Sequence, residues 1–339
     1  MKVILHTSSI LPMLHFLQDL KNKQASRQHL EKLFNHPDYD YEFKRYEISS
    51  KEPVIDYFMQ LGTISEENIP ELESKRRQYM LKHKHKAWLA AYENPEYYEA
   101  LYHKMNAYLT EDMLDSICLS VQKGLPDGIK LSDVRAISTM SIGTSFGYVF
   151  DGAFHFDLMG IENGNVDMLP GLIAHEVHHL AFSEYTSAFF NSLTLEEKYI
   201  FYFSGEGLAI KFCNNAQGVF SKALDASKPL NDGLDAYSMD YLNQRFDESY
   251  RVFEETLEKI RAGAISEEEI FQQFNDFWLK FHVEGQNPDD PPALKQPRMY
   301  SFGNDLYGTI YDAYGLETMF DCVRHPLKAV ECFKAITQK

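Results

Sequence analysis

Asp167-Met168-Leu169-Pro170-Gly171-Leu172-Ile173-Ala174-His175-Glu176-Val177-His178-His179-Leu180-Ala181-Phe182-Ser183-Glu184-Tyr185 is an apolar run broken at its middle by titratable side chains. The spacing predicts one helix, with Asp167 as N-cap and Pro170 in the first turn, where a missing N–H costs nothing. At about 100° per residue, His175 and His179 differ by about 40° and leave the same face one turn apart. Two imidazoles so placed can hold one Zn2+. Glu176 lies beside them, where it can take a proton from the water such a metal carries. Burying a Glu and two His in an otherwise apolar helix is costly without a compensating partner, and a metal is one.

A third protein ligand is required. The longer pattern H-E-x-x-H-x-x-G-x-x-H fails, because Phe182 and Tyr185 occupy its Gly and last His positions. Glu184 lies about 180° from His175 around the helix and points away. Glu196 and Glu197 fall in Thr194-Leu195-Glu196-Glu197, which has the form of a capping box for the next helix, as does Ser266-Glu267-Glu268-Glu269. Glu206 remains, in Phe203-Ser204-Gly205-Glu206-Gly207-Leu208-Ala209. Glycines cost about 1 kcal/mol each inside a helix. They make sense here if this helix packs very close to the His175 helix and carries the carboxylate to the metal. A di-iron carboxylate bundle would need a second Glu-x-x-His. Of thirteen histidines only His179 has an acidic residue three positions before it. His178 is assigned no role, and His155 reads as a partly exposed strand residue.

Outward from this helix, the fold class is mainly α with α+β character: a helical protein with a small β-sheet next to the H-E-x-x-H helix. Residues 1–125 read as a helical N-terminal region, with helical spacing over Leu11–Leu33, Ile64–Leu89 and Pro95–Gln122. The basic run Lys82–Lys86 reads as a solvated helix start. Residues 126–339 form a second region, opening with strands at Val134–Ile142 and Ala153–Met159 separated by Gly143, Gly147 and Gly152. The glycines allow close backbone approach but match no phosphate-loop pattern.

Composition bounds the function. The 339 residues are 44% hydrophobic and 24% charged, ordinary globular proportions. Asp and Glu number 50 against 33 Lys and Arg, a net charge of −17, which argues against nucleic acid and against anionic membrane surfaces. No apolar stretch is long enough to span a bilayer. The four cysteines (Cys118, Cys213, Cys322, Cys332) form no C-x-x-C pair, so neither a disulfide framework nor a Cys–zinc ribbon is expected. A cytoplasmic protein is the expectation.

His175-Glu176-x-x-His179 followed by Gly205-Glu206-Gly207-Leu208-Ala209 resembles the gluzincin class of zinc metallopeptidases. It is most similar to bacterial families described as predicted Zn-dependent proteases, which share a late Tyr/Gly helix, matched here by Met299-Tyr300-Ser301-Phe302-Gly303-Asn304-Asp305-Leu306-Tyr307-Gly308. The resemblance covers roughly residues 135–330. The 27 positions from His179 to Glu206 exceed the spacing of thermolysin-like enzymes. It implies a zincin-like fold, a Zn2+ cofactor on His175, His179 and Glu206, Glu176 as general base, and a peptide or protein substrate. It also implies that strand Ala153–Met159 is the sheet edge beside the active-site helix, where an extended peptide could add. Gluzincins stabilise the oxyanion with a Tyr or His. Tyr300, Gly303 and Tyr307 share a face at i, i+3 and i+7, and Tyr300, at the helix start, ranks ahead of Tyr307. The alternative, from a different class, is a non-catalytic pseudopeptidase or binding module that keeps zinc for structure or sensing.

Overall fold

Apolar residues spaced three and four apart dominate the chain. Its computed structural model, which describes residues 1–72, 80–129, 132–280 and 294–338, is accordingly mostly helical with one small mixed sheet. The chain divides into two compact units interleaved in sequence: Met1–Asp115 with Ser132–Asp167, and Ser116–Leu131 with Met168–Lys339. This differs from a single division near residue 125, because the strands group with the N-terminal helices.

In the first unit, strands β1 (Val3–His6), β2 (Val134–Thr139), β3 (Gly147–Phe150) and β4 (Ala153–Asp157) are ordered β1-β2-β4-β3. β1, β2 and β4 run parallel, and β3 is antiparallel to β4 with Val149 opposite Phe154. β4 is therefore interior. The expectation that Ala153–Met159 forms an edge open to an added strand is overturned, because both its sides are already paired; the edges are β1 and β3. The strand also ends at Asp157 and passes into a 3-10 turn, Leu158–Gly160. Asp151 and Gly152 both take positive φ, 49° and 70°, the signature of a two-residue hairpin turn whose twist matches the strands it joins.

Helices α1 (Ile10–Lys21), α2 (Arg27–Phe34), α3 (Pro37–Arg45), α4 (Glu52–Met59), α5 (Met80–Glu93) and α6 (Pro95–Tyr108) complete this unit, and α7 (Glu111–Lys123) follows. Each long helical stretch expected from spacing is divided. Leu11–Leu33 breaks between α1 and α2, and Pro95–Gln122 breaks at Leu109 and Thr110. Ile64–Leu89 begins as a 3-10 turn, its residues 73–79 lie outside the described ones, and α5 supplies the rest. Phe34 anchors the core, meeting Tyr39, Phe43 and Phe58 edge-on, with Phe58 against Trp88 at 4.5 Å. The basic run opens α5 and is solvated at Lys82, His83 and Lys86, but not throughout. Lys84 pairs with Asp157, and His85 is buried 2.9 Å from the Tyr57 hydroxyl. His155 is likewise buried rather than partly exposed, its ring stacked on Tyr148 at 4.9 Å, and burial lowers its pKa to about 4.

In the second unit, α8 (Leu169–Thr186) and α9 (Leu195–Cys213) pack side by side. They are followed by α10 (Ala236–Gln244), α11 (Phe246–Arg261) and α12 (Glu267–Gln273), the last continuing into a π turn, Phe274–Trp278. The final stretch is α13 (Arg298–Gly303), a second π turn at Asn304–Gly308, α14 (Thr309–Arg324) and α15 (Pro326–Thr337). Both capping boxes form, Thr194 with Glu197 and Ser266 with Glu269. Pro170 sits in the first turn of α8 as expected, but the N-cap is Met168, and Asp167 lies in the preceding 3-10 turn. Phe203 is the hub of an aromatic core with Tyr199, Phe253, Phe274, Trp278 and Phe302. Among the described residues no helix is long and apolar enough to cross a membrane, and no disulfide forms.

The first unit contains a buried carboxyl that titrates near neutrality. Glu42 accepts bonds from the Thr139 and Ser141 hydroxyls and the Ile142 amide. Burial, which those bonds only partly offset, and the nearby Asp157 charge push it up to about 7. The folded state then holds a proton that the unfolded chain has lost above about pH 4.5. Glu42's contribution to stability is complete below that pH and lost as pH rises through about 7. Glu42→Gln, which cannot ionise, should flatten the decline in hydrogen-exchange protection of the β2 and β4 amides between pH 5 and 7.5. An unchanged decline would contradict this assignment.

Candidate metal centre

His175 and His179 leave one face of α8, their rings edge-to-face at 4.6 Å, and Glu206 of α9 meets them. His175 Nε2 and His179 Nε2 are 3.0 Å apart, and Glu206 Oε2 lies 3.0 Å from the first and 3.1 Å from the second. Three nitrogen and oxygen atoms of two imidazoles and one carboxylate thus form a nearly equilateral triangle, and together they are a set that could hold a metal ion. The three residues singled out by spacing are brought together, with His175 buried and Glu206 and His179 partly so.

Hydrogen bonding decides what the triangle wants at its centre. The Asn214 Nδ2 amide donates to the Asp232 carbonyl at 2.7 Å, which turns its Oδ1 toward His175 Nδ1 at 2.9 Å. An oxygen acceptor there places the His175 proton on Nδ1, so its Nε2 presents a lone pair. That lone pair faces a carboxylate oxygen at 3.0 Å. Two acceptors at such a distance repel unless a cation or proton lies between them, and His175, His179 and Glu206 fit Zn2+ by donor type and number. A proton on His179 meets the same demand. Burial opposes charge on both groups. Even so, Glu206 and Glu176 raise His179 to about 9, and the two imidazoles hold Glu206 well below the usual carboxylate range.

Around the triangle, Glu176 is half-buried and its charge is felt by both His179 and Tyr300. Tyr300 of α13 stacks on His175 with ring centroids 5.4 Å apart. Burial, then the Glu206 and Glu176 carboxylates, raise its phenol well above the ordinary value, so it stays a protonated donor. Tyr307 does not join the group. It is fully buried, and its hydroxyl donates to the Ile200 carbonyl at 3.3 Å. The reason is the π turn at Asn304–Gly308, whose wider winding shifts the helical phase after Gly303 and takes Tyr307 off the Tyr300 face. His178 is buried in its neutral form. Its Nε2–H donates to the Gly124 carbonyl at 3.0 Å, and burial, with the neighbouring His179, lowers its pKa to about 3. Glu184 is exposed.

The glycines flanking Glu206 serve a different neighbour from the one expected. Gly205 faces α8 at ordinary distance: an added Cβ would lie 3.9 Å from His179 Nδ1. Space is missing at Gly207, where a Cβ would come within 2.2 Å of the Gly303 carbonyl carbon, and a Cβ on Gly303 would meet the Phe203 carbonyl oxygen at 2.3 Å. The close approach therefore joins α9 to α13 rather than to α8, and it brings Tyr300 beside Glu206. Asn214, which fixes the His175 tautomer, is a residue that sequence reasoning missed. It stands just past α9 and matches no motif.

Residues 30–339 match the family model described as "Putative zinc dependent peptidase (DUF5700)". The chain belongs to that family. No curated protein and no solved structure gives a significant match. The family's description agrees with zinc as the metal, and the matched span contains His175, His179 and Glu206.

Gly207→Ala tests the backbone contact on which this arrangement rests. Its methyl group has no space against Gly303, so a loss of stability of about 1–3 kcal/mol, the usual range for overpacking, is expected in chemical denaturation. Gly205→Ala, with room at 3.9 Å, should cost less. Equal effects at the two positions would refute the assignment of the tight contact to Gly207.

Proposed function

We propose that this DUF5700 chain is a zinc-dependent peptidase of gluzincin type, acting in the cytoplasm on peptide or protein substrates, with Zn2+ held by His175, His179 and Glu206. The observation that carries this reading is the triangle of His175 Nε2, His179 Nε2 and Glu206 Oε2 at 3.0–3.1 Å, with Glu176 close enough for its charge to act on His179. The family's zinc-peptidase description supports it.

Held by His175, His179 and Glu206, Zn2+ would supply Lewis-acid chemistry that acidifies the attacking water. Glu176 accepts the proton of the attacking water and delivers it to the leaving amine nitrogen. Tyr300, kept protonated by its burial and the two carboxylates, donates its O–H to the oxyanion that develops on the scissile carbonyl. Asn214 holds His175 in the tautomer whose Nε2 points inward. None of these roles falls to Tyr307, whose hydroxyl is committed to Ile200.

Glu176→Gln separates base from ligand. A positioned general base contributes roughly 10²–10⁴ in rate, so hydrolysis of a broad peptide pool should fall by at least a hundredfold while zinc content, measured by elemental analysis, stays at the wild-type level. Wild-type hydrolysis by this variant would refute the role of Glu176. No chelator-sensitive hydrolysis by the wild-type chain would refute the peptidase reading itself.

Tyr300→Phe removes only the donor. A lost oxyanion donor typically costs about 10²–10³ in rate. A fall in kcat of tenfold or more with KM little changed is expected, whereas a change confined to KM would make Tyr300 a packing residue.

A further inference from the structure

Between the N-terminal half of α9 and the α12 segment lies a cavity of about 230 Å³ that the chemistry above does not use. Its walls are apolar and aromatic: Leu195 and Tyr202 of α9, Ile270 and Phe271 of α12, Phe274 of the π turn, and Met299 of α13. Ile270, Phe274 and Met299 are buried, while Tyr202 and Phe271 stand 42% and 69% exposed and leave the mouth open to solvent. An apolar cavity of about 150 Å³ accepts a benzene ring, so this one has room for a phenyl or a branched aliphatic side chain. Two charges also line it, Lys198 and Glu267. They are of opposite sign and give no net preference for a charged occupant.

The cavity draws on the same two helices as the metal centre, α9 and α13. On α9, Leu195, Lys198, Tyr199, Tyr202 and Glu206 recur at three- and four-residue intervals and share one face. Tyr202 lies one turn, about 6 Å of helical rise, before the Glu206 carboxylate. On α13, Met299 in the cavity wall is the chain neighbour of Tyr300, which stacks on His175. An extended peptide advances about 3.3 Å per residue, so a side chain about two positions from the scissile bond spans that distance.

We propose that this cavity is a specificity pocket that receives a bulky, uncharged apolar side chain of the peptide substrate, about two residues from the bond that is cut. The proposal builds on the peptidase reading, in that it assigns the occupant to the same substrate. It makes the enzyme selective for aromatic and large aliphatic residues at that position, and it makes Tyr202 and Phe271 determinants of that selectivity.

Two measurements on the zinc-loaded full chain test it. In the first, kcat/KM is compared for peptides that differ only by Phe, Leu, Ala, Lys or Glu at the second position on either side of the scissile bond. Phe and Leu should exceed Ala by about tenfold to a hundredfold, the range expected for burying a large apolar side chain. Phe271→Asp and Tyr202→Ala should each reduce that preference to less than threefold. In the second, binding of N-acetylphenylalaninamide and N-acetylalaninamide is followed by fluorescence of Trp278, which packs on Phe274 in the cavity wall. Saturable binding of the phenyl compound alone, weakened at least tenfold in both variants, is expected. An apolar preference undiminished in both variants, or equal binding of the two amides, overturns the pocket. Absence of hydrolysis together with selective binding overturns the peptidase reading and leaves the pocket standing. Both variants lie at exposed positions, and unchanged near-ultraviolet circular dichroism establishes that a lost preference is not lost folding.

Discussion

Two imidazole nitrogens and a carboxylate oxygen held about 3 Å apart require a proton or a cation among them, and much of the second unit can be understood as the structure that holds them there. Helices supply the first part of the answer. His175 and His179 project from α8 at a separation that the helical repeat dictates, and Glu206 reaches them from α9, which packs alongside. Positions on regular helices are specified more tightly than positions on loops, and close placement is what a set of mutually repelling acceptors requires. A cation at the centre would convert that repulsion into attraction, and the three atoms are a set that could hold one.

The arrangement of α9 explains how the His175, His179 and Glu206 cluster and the Tyr300 phenol come to share one neighbourhood. One side of the helix, at Gly205, faces α8; another, at Phe203 and Gly207, is in backbone contact with α13. Glu206 projects between these two contacts. Because α9 and α13 touch without side chains between them, Tyr300 is brought against His175 and into the field of the Glu206 carboxylate. A larger residue at Gly207 or at Gly303 would separate α9 from α13 and withdraw the phenol. A glycine that looks wasteful in a helix is thus the condition for bringing Tyr300 to the site.

The sequence made the helical part of the site legible and hid what depends on contacts distant along the chain. The pairing of His175 with His179 needs only a 3.6-residue repeat, and Glu206 stood out because a carboxylate between glycines conflicts with an apolar helix. Tyr300 was readable as the first residue of its helical face. Tyr307 was not, because the π turn after Gly303 leaves no mark in the apolar pattern. The hairpin of β3 and β4 carried an Asp151-Gly152 signal, but its strands of four and five residues are too short to show alternation, and the interior place of β4 follows only from its pairing with β2. The grouping of the strands with the N-terminal helices rests on bonds such as those of Glu42 to Thr139, Ser141 and Ile142, about a hundred residues away. No local pattern encodes these.

The same principle applies to the buried polar residues that no motif marks. Asp305 sits in the π turn and accepts the amides of Val219, Phe220 and Ser221, and Lys211 bonds Ser221 and pairs with Asp312. These bonds fix the segment that leaves α9. Asn215, at positive φ just past the helix end, donates to the Asp225 and Pro229 carbonyls and closes that segment into a loop. The loop returns the Asp232 carbonyl to Asn214, and Asn214 then sets the tautomer of His175. Each link is a hydrogen bond buried in whole or in part, and the more its partner is desolvated the more it costs to leave unmade. Removing an early link therefore costs more than its own bond energy. The orientation of the His175 imidazole is in this way tied to Asp305, 130 positions further along the chain, whose carboxylate reaches the loop amides from a π turn, a winding rare in helices.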